Sequence, residues 1–73
     1  MPLRPLSFRD VKRKLEAVGF HETSQRGSHV KFSKRVGEEL RTAIVPNHSK
    51  IAVGTLRSII RQAGLTIDEF EKL

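Results

Sequence analysis

Apolar residues recur along this chain in two rhythms. From Phe8 they fall at Phe8, Val11, Leu15 and Val18, steps of 3, 4 and 3 that form one stripe of an α-helix. Ser7 stands where an N-cap belongs, with Asp10 three residues on completing a weak capping box. Gly19 follows the stripe at the place of a left-handed C-terminal residue. The rhythm then shortens to alternation. Residues Phe20 to Gln25 predict a first strand and Arg26-Gly27 a turn. Ser28 to Ser33 predict a second strand, Lys34 to Glu39 a hairpin loop around Gly37, and Leu40 to Val45 a third strand. In that third strand Leu40, Thr42 and Ile44 share one face, and Arg41, Ala43 and Val45 the other. Pro46 ends it, because proline offers no ladder donor.

A loop from Pro46 to Val53 leads back to the helical rhythm. Gly54-Thr55 opens a helix carrying Leu56, Ile59, Ile60 and Ala63 on one stripe, and Gly64 closes it. Thr66 and Glu69 form a capping box for a last short helix, flanked by Leu65 and Phe70 at the staple positions. Strands this close in sequence, joined by short turns, pair as an antiparallel meander. The expected architecture is α+β: one domain, residues 1–73, with two helices on one face of a three-stranded antiparallel sheet and the other face open. Phe8, Phe20, Phe32 and Phe70 read as core residues, and without Tyr or Trp there is little for RNA bases to stack on.

Composition narrows the class. A chain of 73 residues buries only about 60% of its unfolded surface, so its stability is expected to be modest. It has no cysteine, hence no disulfide and no thiolate metal site. Neither a signal-peptide pattern nor a bilayer-length apolar run is present, so a soluble, cytoplasmic protein is expected. Lysine and arginine number 14 against 8 acids, giving +6, and Asp68, Glu69 and Glu71 crowd the last six residues. The remainder is more basic still, which points to a nucleic-acid partner.

Candidate chemistry centres on Gly27-Ser28-His29-Val30-Lys31-Phe32. If Val30 and Phe32 enter the core, His29 and Lys31 share the outer face of the strand. A base titrating near neutrality beside a cation suits metal-free attack on a phosphodiester. RNA is the fitting substrate, because its 2′-hydroxyl supplies the nucleophile. Lys31 stabilises the charged phosphorane in this reading. Arg57 and Arg61 share a helix stripe that can meet phosphates, and the amides at Gly54-Thr55 add a partly positive helix end. Other chemistries find little support. There is no P-loop or dinucleotide fingerprint, no carboxylate cluster, and His21, His29 and His48 lack zinc-ligand spacing. Ser28 beside His29 points to the opposite strand face, which disfavours a serine nucleophile.

Each residue also has a plainer reading. His29 is a surface polar residue, Arg57 and Arg61 a solvated helix face, Gly27 a turn residue, Ser28 a turn hydrogen-bonder, and His48 a brace for its loop. The competing functions are a non-catalytic double-stranded-RNA-binding module and a pure interaction protein docking through the open sheet face. A binding module needs cations but no titratable base on the strand.

The segments Gly19-Phe20, Arg26-Gly27-Ser28-His29, Val45-Pro46-Asn47-His48 and Gly54-Thr55-Leu56-Arg57-Ser58-Ile59-Ile60-Arg61-Gln62-Ala63-Gly64-Leu65, in this order and spacing, resemble the HicA (YcfA-like) family of toxin mRNA interferases. The resemblance runs from about Val11 to Phe70. It implies a fold like that of double-stranded-RNA-binding domains. It also implies a ribonuclease that cleaves mRNA without needing the ribosome, with its catalytic histidine at His29 and a HicB-like antitoxin covering that histidine. From the metal-free attack read above, no metal or small-molecule cofactor is expected. The N-terminal Met1 to Leu6 lies outside the family pattern, and Ile51-Ala52-Val53 replaces a more polar stretch.

Overall fold

The computed structural model describes residues 3–73. Helix α1 spans Phe8–Ala17, and strands β1 (His21–Arg26), β2 (His29–Val36) and β3 (Glu39–Pro46) follow, then α2 (Val53–Gln62) and α3 (Ile67–Glu71). The strands form one antiparallel sheet in the order β1-β2-β3. This is the expected α+β arrangement.

Local chemistry sets the helix ends. The Ser7 hydroxyl accepts from the Asp10 amide at 3.1 Å. At the other end of α1, Phe20 N donates to Leu15 O and Gly19 N to Glu16 O, both at 3.0 Å. That pair is a Schellman motif, and Gly19 supplies its left-handed residue at φ 95°. Helix α2 repeats the device: Leu65 N donates to Ile60 O at 3.1 Å and Gly64 N to Arg61 O at 3.0 Å. In α3 the Thr66 hydroxyl accepts from Glu69 N at 3.0 Å, and the Glu69 carboxylate accepts from Thr66 N at 2.8 Å.

One sheet face carries the core. Val30 and Phe32 from β2, and Ala43 and Val45 from β3, pack against Val11 and Leu15 of α1, Leu56, Ile59 and Ile60 of α2, and Phe70 of α3. Phe20 is buried with them. Phe8, expected in the core, is only half-buried at its edge, with its ring 6.0 Å from that of Phe32. Burying a side chain of this kind contributes roughly 1.5–3 kcal/mol, so the few large residues here carry most of the stability.

The strands differ from the sequence expectation at their ends. Lys34 to Glu39 is not a six-residue loop: β2 runs on to Val36, β3 begins at Glu39, and only Gly37-Glu38 turn. Lys34 and Arg41 hide the alternation, because they pair on the helix side. There Lys34 Nζ stands 5.7 Å from the centre of the Phe20 ring and the Arg41 guanidinium lies against Gly64, so long cationic side chains cover the helix ends in place of apolar ones. Similarly, β1 begins at His21 rather than Phe20, which belongs to the helix cap. Two residues of β1, Thr23 and Ser24, stand opposite Lys31, a bulge, with the Thr23 hydroxyl donating to Lys31 O at 3.2 Å.

Candidate active site

The turn that presents His29 is built by Gly27. It takes φ 59°, no non-glycine residue in the described chain has positive φ, and Arg26 pairs with His29 across the turn. A glycine at the first central position of a two-residue hairpin is the type II′ pattern, whose twist matches that of the strands. His29 thus begins β2 on the face away from the core. The registers put Arg26 beside it on β1 and Pro46 beside it on β3, and Lys31 follows on the same face two residues along. His29, Lys31 and Arg26 are all exposed.

The loop after β3 comes to the same place. Asn47 N donates to Ser28 O at 2.6 Å, and His48 N donates to Pro46 O at 2.9 Å, a tight bend centred on Asn47. His48 O accepts from Phe8 N at 2.9 Å. Leu6 and Ile51 exchange both backbone bonds, at 3.3 and 2.6 Å, so the N-terminal segment clamps the far end of the loop. The result is a groove of about 410 Å³ whose walls include His29, His48, Lys50, Ile44, Ala52 and Thr55. Helix α2 starts beside it, and its N-cap is Ala52, which has no side chain to accept from the first-turn amides. The groove therefore combines two imidazoles, one ammonium and a partly positive helix end.

The predicted residues divide in three. His29 and His48 both line the groove, with Lys31 on the adjoining strand face. Gly27 and Ser28 shape the turn, and Ser28 does so through its backbone carbonyl on Asn47 rather than its hydroxyl. Arg57 and Arg61 do not join them. They lie on an exposed stripe roughly 100–160° around α2 from Thr55 and Gln62, given 100° per residue. Gln62 faces the sheet instead: its Oε1 accepts from Ile44 N at 3.0 Å, closing part of the β3 edge, and its Nε2 donates to Ser58 Oγ at 3.1 Å. Sequence reasoning missed Lys50, whose only cue was its place two residues after His48. It also missed the role of Leu6, which no periodicity announces.

Among the described residues no helix is long and apolar enough to cross a membrane. Residues 8–65 match the family described as HicA toxin of bacterial toxin-antitoxin systems. That span takes in α1, the whole sheet and α2, and it defines the protein as the toxin component of such a pair, with an antitoxin as its partner. The chain belongs to the HicA toxin family. Comparison with curated proteins gives no match.

Proposed function

We propose that this toxin is a metal-independent endoribonuclease acting on mRNA, with His29 as its catalytic base or acid. The observation that carries this reading is the groove itself, where His29 and His48 line one basic cleft beside an uncapped helix start. In the reaction one imidazole accepts the 2′-hydroxyl proton as O2′ attacks phosphorus. The P–O5′ bond breaks, and the second imidazole donates a proton to the leaving oxygen. A 2′,3′-cyclic phosphate and a 5′-hydroxyl result, with no added water and no group beyond the chain. Lys31 and Lys50 offset charge on the phosphorane, and the first-turn amides of α2 are placed to do the same. Gly27 and Ser28 hold the strand entry against the RNA, and Arg57 and Arg61 meet phosphates that lie outside the groove.

The proposed partner is a HicB-like antitoxin that covers His29. A basic toxin face favours an acidic protein surface, which excludes RNA by imitating its charge. Cellular toxicity and cleavage of a defined RNA, wild type against His29→Ala, test the activity. A general acid–base group contributes about 10²–10⁴ in rate, so His29→Ala is expected to lose cleavage on that scale while retaining RNA binding. Cleavage is expected to persist with chelator present. Equal cleavage by both proteins would remove His29 from the mechanism and leave a binding module.

A further inference from the structure

We infer that single-stranded RNA leaves the groove along the outer face of β2, and that Arg35 contacts a backbone phosphate there; this rests on the nuclease reading above. A polynucleotide whose reacting phosphate sits at His29 has to run on past the groove. The groove wall at Ile44 is also a position on the outer sheet face, because Ile44 pairs with Lys31. From there the face continues through Ser33 and Thr42 to Arg35 and Leu40. Six residues separate His29 from Arg35, about 20 Å of extended strand.

The charge on this face is one-sided. Following the registers, the strand positions that face away from the helices carry His21, Arg26, His29, Lys31 and Arg35 and no carboxylate. The acids of the same strands fall elsewhere. Glu22 pairs with Phe32 on the helix side, where it meets Lys12 of α1 at 3.3 Å, and Glu39 pairs with Val36. The middle of the face is level rather than bristling. Ser33 is buried there under the Thr23 and Thr42 hydroxyls, at 3.4 and 3.5 Å. Leu40 and Ile44, 61% and 39% exposed, give apolar ground beside the cations. A flat, acid-free strip with cations at its two ends fits a chain that bears a charge at every unit. A protein docking on Leu40 and Ile44 is the rival occupant, and the test separates the two.

RNA oligonucleotides with one cleavage site and increasing extension on either side are given to wild type and to Arg35→Gln. Arg9→Gln, on the exposed side of α1, serves as the charge control. One single-strand phosphate contact contributes about 0.7 to the slope of log affinity on log salt. Arg35→Gln is therefore expected to lower that slope by about 0.7 and raise KM about fourfold near 0.15 M salt. Its kcat is expected to stay unchanged, and its gain from one-sided extension to disappear. Arg9→Gln is expected to keep that length dependence. Equal behaviour of the two variants overturns the inference. So does an Arg35→Gln protein that cleaves normally but escapes inhibition by the antitoxin, since the face would then be a protein site. Anisotropy of labelled RNA on His29→Ala and on His29→Ala/Arg35→Gln separates the two readings. No cleavage by wild type with an Arg35-dependent binding slope defeats the nuclease and keeps the path. His29-dependent cleavage with no Arg35 effect defeats the path alone.

Discussion

Two glycines show how single positions constrain this fold, and they do so for different reasons. Gly27 takes φ 59° with nothing within 4 Å of where a Cβ would stand. Gly64 takes φ 75°, and its Cβ would lie 2.6 Å from the Arg41 guanidinium. The left-handed region costs an ordinary residue about 1–2 kcal/mol. The Gly64 clash adds little, because the atom it meets is the far end of a flexible side chain. Both Gly27→Ala and Gly64→Ala are thus expected to cost about 1–2 kcal/mol in urea denaturation. Removing the guanidinium with Arg41→Ala should restore less than about 0.5 kcal/mol of the Gly64→Ala loss. A large rescue would mean that contact, not backbone strain, fixes Gly64. Both glycines were legible in the sequence, since a turn and a helix end each demand that conformation. His29 and Lys31 were legible for a similar local reason: alternation with Val30 and Phe32 leaves them only the outer face.

What was not legible is what joins distant elements. Lys14 sits within the α1 stripe region, yet its Nζ reaches 56 residues ahead to Phe70 O at 3.1 Å, and to Leu73 O at 3.0 Å. It also lies 5.2 Å from the centre of the Phe70 ring. No helical period reveals that a lysine on α1 caps the carbonyls of α3. Burial holds the Lys14 ammonium below its ordinary value of 10.5, helped by Arg13 and opposed by Asp10 and Glu71. Between that lowered value and 10.5 the folded protein binds fewer protons here than the unfolded chain, so this group makes stability rise with pH. Below the window its desolvation cost is constant. Lys14→Met keeps the aliphatic stem and lacks both the bonds and the titration. It is expected to lose about 1–3 kcal/mol near neutral pH through α3. The advantage of wild type over the variant should grow as pH climbs through the window, read from paired urea curves; a flat difference would contradict the burial argument. Leu6 is the same kind of case. Its exchange with Ile51 fastens the loop bearing His48, from a segment before the family match begins at residue 8. Leu6→Pro removes the amide that donates to Ile51 O and leaves that carbonyl unpaired, an expected loss of about 1–3 kcal/mol. Cleavage should fall further than stability alone explains, because the loop wall of the groove loosens while β2 and His29 stay in place.

The layering divides labour across the molecule: one sheet face is consumed by the helices and holds it together, and the other carries cations without acids. The helix-covered face ends in a core built, among the described residues, from thirteen buried apolar ones, a small reserve for a domain of this length. The opposite face contributes nothing to that reserve, so a partner that covers it adds stability without competing with the core. Mass action gives the size of the effect. A ligand binding only the folded state at a hundred times its Kd contributes about 2.7 kcal/mol. At 4–8 °C per kcal/mol for a domain near this length, the Tm of the toxin should rise by about 10–20 °C with antitoxin at that excess. On the docking over His29 proposed above, the same saturating antitoxin should abolish cleavage. Scanning fluorimetry and a cleavage assay on one sample measure both at once. A full shift in Tm with cleavage intact would place the antitoxin on the helices, and the outer face would then belong to RNA alone.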